Sequence, residues 1–248
     1  MSLWKRRPRR FSTAALESAL AEALRSITAL EARTERLEKS LTAARAIARS
    51  GDEVPAWIEL ARRVPLGSAV FERAVDPRAV LALLTHAEGL PEGTAVLILA
   101  DDATGSIASR ALLAARPDLR PVIITSSDTA AMRDLADDPR IELRRGEVTV
   151  RSFGDIAGPW YRPEDLTGLT GVPLVLVAGP SHAHGPAARH AVAAGVGELT
   201  DRAVLVVARP ADGPVARAVK LWGSTSQQTL AVTALSPWEI ELTAARSS

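Results

Sequence analysis

The run Val172-Pro-Leu-Val-Leu-Val-Ala-Gly-Pro-Ser181 and its companion Ala203-Val-Leu-Val-Val-Ala-Arg209 decide the fold class. Each is a short, unbroken apolar stretch ending in turn residues, the pattern of a strand buried on both faces. A helix-like stretch separates them, so they read as parallel neighbours joined by a crossover. The carboxyl edge of such a sheet is where functional side chains stand. Here those edges carry Ala178 and Ala208, so the runs have the outline of an active-site wall without its acids.

Outward from these strands the same alternation repeats. The pattern predicts a helix over Pro77 to Glu88, a strand Ala95 to Ala100, a helix Ser106 to Ala115, a strand Pro121 to Thr125 and a short helix Thr129 to Ala136. Extended chain follows at Ile141 to Leu143, with Val148 to Val150 continuing it; after strand Leu174 to Val177 come helix Pro186 to Ala194, strand Ala203 to Val207 and helix Val215 to Trp222. Continuous apolar strands alternating with amphipathic helices imply a parallel sheet covered on both faces. The last two strands, Thr229 to Leu235 and Trp238 to Leu242, are separated by Ser236-Pro237 alone and must be antiparallel neighbours. The expected fold is α/β: a doubly wound, mostly parallel sheet closed by a C-terminal antiparallel hairpin.

The amino-terminal part reads differently. Residues 1–12 read as a basic disordered arm, either a solubilising terminus or a binding segment, with Trp4 and Phe11 flanking Lys5 to Arg10, and no apolar signal-peptide core follows it. Over 13–50 the apolar positions step by four and three: Leu16, Leu20, Ala23, Ile27, Leu30, Thr34, Leu37, Leu41, Ala44, Ala48. That is a heptad seam, with Glu31, Arg33 and Glu38 at the flanking charged positions, Ser12 or Thr13 available as a cap and Gly51 just beyond the end. It predicts a homo-oligomer or a helical protein partner through 14–49, or else a helix folded back on its own domain. Residues 51–75 read as a linker with a short helix, Ala56 to Val64, presenting Trp57, Leu60 and Ala61 on one face. The α/β domain is expected over 76–248.

Composition narrows the functional classes. The 30 Lys and Arg nearly cancel the 29 Asp and Glu, leaving a net charge of +1, and no apolar run is long enough to span a membrane. The absence of cysteine removes disulfides, a thiolate nucleophile and a cysteine metal site. The expected setting is the cytoplasm, and the wealth of arginine and alanine suggests a GC-rich bacterial genome. The arm over 1–11 offers contact with an anionic membrane surface and, less readily, nucleic acid.

Read together, Trp160-Tyr161, Val177-Ala178-Gly179-Pro180, Gly185-Pro186, Arg189 and Trp222 occur in an order and spacing that resembles a bacterial subgroup of the class I S-adenosylmethionine-dependent methyltransferases. That family's sheet also ends in an antiparallel hairpin, and the resemblance covers about residues 64–242. It implies a cofactor site at the carboxyl edge: a glycine-rich loop after the first strand preceded by an acid, an acid after the second strand for the ribose hydroxyls, and carboxylates after the fourth and fifth strands where a divalent ion is used.

This chain departs from each of those expectations. The first loop is Ile98-Leu99-Ala100-Asp101-Asp102-Ala103-Thr104-Gly105-Ser106, with Ile98 at the position of the acid and Gly105 the one glycine. Asp101 and Asp102 read as a helix cap and a first-turn acid. Ser126 stands where the ribose acid belongs, with Asp128 two residues on, in a Ser-Ser-Asp run that reads as a turn and cap. The strand ends offer Ala178, Ala208 and Arg209, no ligands for a hard cation, so no metal site is expected. His182 and His184 have no neighbouring carboxylate or cysteine in sequence and read as loop residues. Ser181 lacks the strand-turn-helix setting of a hydrolase nucleophile. His86 and His190 fall on predicted helices, and Trp57, Trp160 and Trp222 read as packing residues.

The expectation is therefore a methyltransferase-like protein without catalytic residues, acting as a binding or assembly module through its coiled coil. The alternative is an active S-adenosylmethionine-dependent methyltransferase with a rebuilt cofactor site, drawing on Asp101, Asp102, Gly105, Ser126, Asp128 and Gly179. On the first reading no cofactor is expected; on the second it is S-adenosylmethionine.

Overall fold

Strand order carries the architecture. The computed structural model describes Glu22 and residues 53–63, 75–185, 187–210, 212–225 and 230–244. The arm over 1–11 and, apart from Glu22, the heptad seam over 14–49 lie outside the described residues. The chain divides into two units, Met1–Asp52 and Glu53–Ser248, and the sheet with all its helices belongs to the second.

Seven strands form one sheet: β1 (Ala95–Leu99), β2 (Arg120–Thr125), β3 (Glu142–Arg145), β6 (Leu174–Val177), β7 (Arg202–Val207), β8 (Leu230–Ser236) and β9 (Glu239–Ala244). Their order is β3-β2-β1-β6-β7-β9-β8. The first five are parallel, while β9 runs antiparallel to both β7 and β8. This is the mostly parallel, Rossmann-like sheet with a closing hairpin that the apolar runs imply. The chain winds outward from β1 in two directions, so the topological switch point lies between β1 and β6.

Alternation within each strand builds two apolar layers. Ile98, Ile123, Leu176 and Val206 face one way, under helical residues 53–63 (α1), α2 (Pro77–Ala87), α3 (Ala103–Ala115) and α4 (Ala130–Ala136). Leu97, Leu99, Ile124, Val177 and Leu205 face the other, under α5 (Val192–Gly197), α6 (Gly213–Thr225) and Trp160. Because both faces are covered, β1 and β6 are buried almost end to end. In α1 the buried stripe is Ala56, Leu60 and the half-buried Trp57; Ala61, expected on that face, is exposed. Among the described residues no helix is long and apolar enough to cross a membrane.

Several boundaries differ from the sequence expectation for identifiable reasons. α3 begins at Ala103 because Asp102 caps it, its carboxylate accepting from Thr104 N at 2.8 Å. The helix expected from Pro186 starts only at Val192, so Arg189 and His190 sit in a turn instead. Their carbonyls accept the Trp222 indole N–H, at 3.0 and 2.9 Å, and Arg189 O also accepts Val192 N at 3.2 Å within the turn. Val148 does not continue β3: β4 (Val148–Phe153) pairs antiparallel with β5 (Ile156–Tyr161) as a separate two-stranded sheet. Gly158 and Pro159 within β5 hide that strand from its composition.

The hairpin brings the Trp160 ring, fully buried, against α5 at Gly195, where an added methyl group would overlap the indole. Gly195→Ala is expected to cost about 1–3 kcal/mol through overpacking. Gly223 in α6 has open space around it, so Gly223→Ala is expected to be neutral or to stabilise by about 0.5–1 kcal/mol. Urea denaturation of the two variants checks the contrast, and an unchanged midpoint for Gly195→Ala contradicts the packing.

Candidate functional site

The carboxyl ends of β1, β2 and β6 meet at one side chain. Asp101 follows β1, is only 7% exposed, and divides its two oxygens between the neighbouring strand ends. Oδ1 accepts from Ser126 N at 2.7 Å and from Ser126 Oγ at 2.9 Å, with Thr125 Oγ1 at 3.3 Å, all at the end of β2. Oδ2 accepts from Ser181 N at 2.7 Å, beyond the end of β6. A buried carboxylate needs such donors to offset its lost hydration. Asp101 is therefore neither a helix cap nor a first-turn acid; it is a buried tie between strands.

The strands do not part at this switch point. Leu99 O accepts both Ala178 N and Gly179 N, at 2.8 and 2.6 Å, extending the β1–β6 contact past the regular ladder. A Cβ at Gly179 would lie 3.3 Å from the Ala100 backbone and from Asp101 Oδ2. Gly105 is equally close-packed, since a Cβ there would meet Ala100 Cβ at 2.9 Å and the Met132 methyl at 3.1 Å. Both glycines thus serve chain-to-chain approach, one between strands and one between α3 and β1.

Ser126 extends the tie outward, its Oγ lying 2.8 Å from His184 Nε2. The hydroxyl has one proton. When that proton points to the Asp101 carboxylate at 2.9 Å, the contact to His184 requires the tautomer that carries its proton on Nε2. Ser126 is thus engaged on both sides, by Asp101 and by His184. His184 closes the 3-10 turn His182–His184, and this turn is held over the β2 end through Ser126 and through Ser181 N.

A buried cation ties the other two strand ends. Arg189 is 9% exposed; Nη2 donates to Ala178 O at 2.6 Å and Nη1 to Ala208 O at 3.1 Å, joining the ends of β6 and β7. Among the described residues its buried Nε has no hydrogen-bond partner. Burial lowers the guanidinium pKa from its ordinary value, opposed chiefly by the nearby Asp102 and Asp212 carboxylates. An arginine starts so far above neutral pH that the group remains charged. The alanines at the strand ends thus present backbone carbonyls to an arginine, where carboxylates would present charge to a ligand. Beyond β7, Arg209 adopts a left-handed φ of 54°, a strained setting for a residue with a side chain. Asp76, 5% exposed, anchors it by accepting from Arg209 N at 2.7 Å while capping α2 at Arg78 N and Ala79 N.

Of the residues singled out in sequence, Asp101, Ser126 and Gly179 come together at the switch point, and Asp102 and Gly105 belong to the first turn of α3. Asp128 does not join them: it pairs with Arg145 at 2.6 Å and Arg133 at 3.5 Å. Nor is it the cap of α4, a role taken by Thr129, whose hydroxyl accepts from Met132 N. Among the described residues no group of three His, Asp or Glu side chains is placed to hold a metal ion. Sequence reasoning missed Asp76 altogether, although Asp before Pro77 is a helix-start signal. It also gave Arg189 no task, because nothing local reveals that its partners are carbonyls on two strands.

No protein-family model matches the sequence, and no curated protein does. Among solved structures, precorrin-6y C5,15-methyltransferase from Geobacter metallireducens GS-15 superposes with a TM-score of 0.36 at 13% identity, covering 73% of this chain and 93% of that one. The N-terminal domain of human METTL16 in complex with SAH gives 0.33 at 9%, covering 69% and 68%. At such scores the similarity is one of coarse architecture.

Two outcomes follow from the geometry. Asp101→Asn places an amide NH2 against a backbone N–H on one side, so loss of about 1–3 kcal/mol is expected for each donor left unpaired. Amide exchange at Ser126 and Ser181 should accelerate; unchanged protection and an unchanged urea midpoint contradict the tie. Tyr161, the single tyrosine of the chain, is fully buried. Burial, and next the Asp101 carboxylate, push its phenol well above the usual value, against an opposing Arg189. A raised folded-state value means its contribution to stability is complete below the unfolded value of about 10 and declines as pH rises beyond it. Phenolate absorbance should therefore appear together with alkaline unfolding, and a reversible titration near pH ~10 in the folded protein contradicts this environment.

Proposed function

We propose that the chain is a methyltransferase-like module that no longer transfers methyl groups and instead serves binding or assembly. The observation that carries this reading is the Asp101 carboxylate itself: it occupies the switch point, and its four hydrogen bonds stitch the β1, β2 and β6 ends together. A nucleotide-like cofactor needs acceptors for its ribose hydroxyls and an open backbone turn at that place. In this chain Ser126 is occupied by Asp101 and His184, Asp128 is turned to two arginines, and Gly105 is packed against Ala100. The order of Trp160-Tyr161, Gly179-Pro180, Arg189 and Trp222, together with the closing hairpin, supports descent from a methyltransferase-like ancestor. Assembly is assigned to the heptad seam over 14–49, with a second copy or another helical protein as partner. The basic arm over 1–11 adds a contact for anionic surfaces.

Titration calorimetry with S-adenosylmethionine tests the loss of cofactor binding, and no binding in the micromolar range is the expected result. A dissociation constant near ~1 μM, about −8 kcal/mol, overturns it and establishes an enzyme with a rebuilt site. In that case Asp102→Ala and Ser126→Ala should weaken the binding.

A further inference from the structure

The two outer strands of the sheet differ in a way that bears on assembly. β3 has four residues, Glu142-Leu-Arg-Arg145, three of them charged. Arg144 is also committed to the carbonyls of Asp165 and Thr167, at 3.0 and 2.7 Å. Short length, charge and a neighbouring segment are the usual means by which an outer strand avoids pairing with another chain. Among the described residues, β8 has none of these at its regular part. It reads Leu230-Ala-Val-Thr-Ala-Leu-Ser236, seven residues with no charge and no proline, and Ala231, Thr233, Ala234 and Leu235 are exposed. Its one irregularity is a bulge between Ala234 and Ser236, which leaves residues 230–234 as a regular outer edge.

We infer that a second copy of this chain pairs with β8 edge to edge, antiparallel about a two-fold axis normal to the sheet at Val232, making one continuous sheet across the two molecules. Three observations point to a second copy. First, the segment is self-complementary in this register: Val232 meets Val232, and Ala231 meets Thr233, with no buried charge and no clash of bulky groups. Second, Val232 packs on the margin of the apolar layer that runs from Leu205 through Leu242 beneath α6. Pairing at Val232 carries that layer across the axis and covers its open end, as a closed two-fold interface requires. Third, Glu241 on the neighbouring strand β9 is already held by Arg202 of β7 at 2.6 Å, so that carboxylate is not left unpaired beside the edge. The contact is independent of the heptad seam and does not rest on the loss of methyl transfer.

The test uses the full chain with Leu30→Asp and Leu37→Asp, which removes any contribution from the seam. Sedimentation should still give a dimer. Adding Ala231→Lys and Thr233→Lys, both at exposed positions, sets like charges opposite one another and should halve the mass. Mixing that variant with one carrying Ala231→Glu and Thr233→Glu should restore the dimer. A monomer before the edge is altered, or an unchanged mass after it, overturns the inference. A second measurement does not depend on the lysine variant folding, because the chain has no cysteine. Opposed residues in an antiparallel pair have Cα atoms about 4.5–5.5 Å apart, within disulfide reach. Val232→Cys should therefore oxidise to a covalent dimer, while Val150→Cys, 76% exposed on β4, should not. Equal cross-linking by the two variants contradicts the pairing.

Discussion

Much of this molecule depends on the problem of ending a parallel sheet. Parallel strands stop together, and their last carbonyls and N–H groups lose their ladder partners in a partly buried place, where unmade hydrogen bonds are costly. Here two buried ions of opposite sign meet that need. Asp101 takes N–H and hydroxyl protons from the ends of β2 and β6, and Arg189 gives protons to the carbonyls that end β6 and β7. β6 is gripped by both. Each ion supplies many hydrogen-bonding groups on one rigid head, which explains why a carboxylate and a guanidinium serve where shorter polar residues cannot.

The same arrangement bears on function. An α/β sheet acts on ligands because its carboxyl edge leaves a crevice with unsatisfied polar groups. When those groups are satisfied internally, the edge becomes a structural seam. Trp222 reinforces that seam by holding the carbonyls of Arg189 and His190, which fixes the backbone from which the arginine reaches the strands. Asp76 does the equivalent beyond β7 by coupling the start of α2 to the left-handed Arg209. Polar chemistry at the edge is thus directed at the fold, and the recognition we propose falls elsewhere, to the outer strand β8 and the amino-terminal heptad sequence.

The outer strands show how differently one sheet treats its limits. β3 is short and charged, consistent with an edge kept from pairing, whereas the regular part of β8 is long and neutral. An uncharged edge is a hazard in a monomer and a resource in a dimer. The bulge near Leu235 limits the extent of that edge, which favours a defined register over open-ended stacking.

The sequence by itself determined the elements whose signal is local. Continuous apolar runs gave β1, β2, β6 and β7, and the Ser236-Pro237 break gave the closing hairpin, because burial on two faces and a two-residue connection leave few alternatives. Asp101 and Asp102 read together as a cap and a first-turn acid, and of the two it is Asp102 that caps the helix. Tertiary structure decided the rest. β5 was hidden by Gly158 and Pro159, since its pairing comes from β4 and not from propensity. Arg189 sits in a turn before the helix, where its partners, the Trp222 indole and the carbonyls of Ala178 and Ala208, all come from other segments. Above all, whether Asp101 faced solvent, a cofactor or its own strand ends was invisible, because its partners at Ser126 and Ser181 stand in other segments and only the folded sheet brings those donors to one carboxylate.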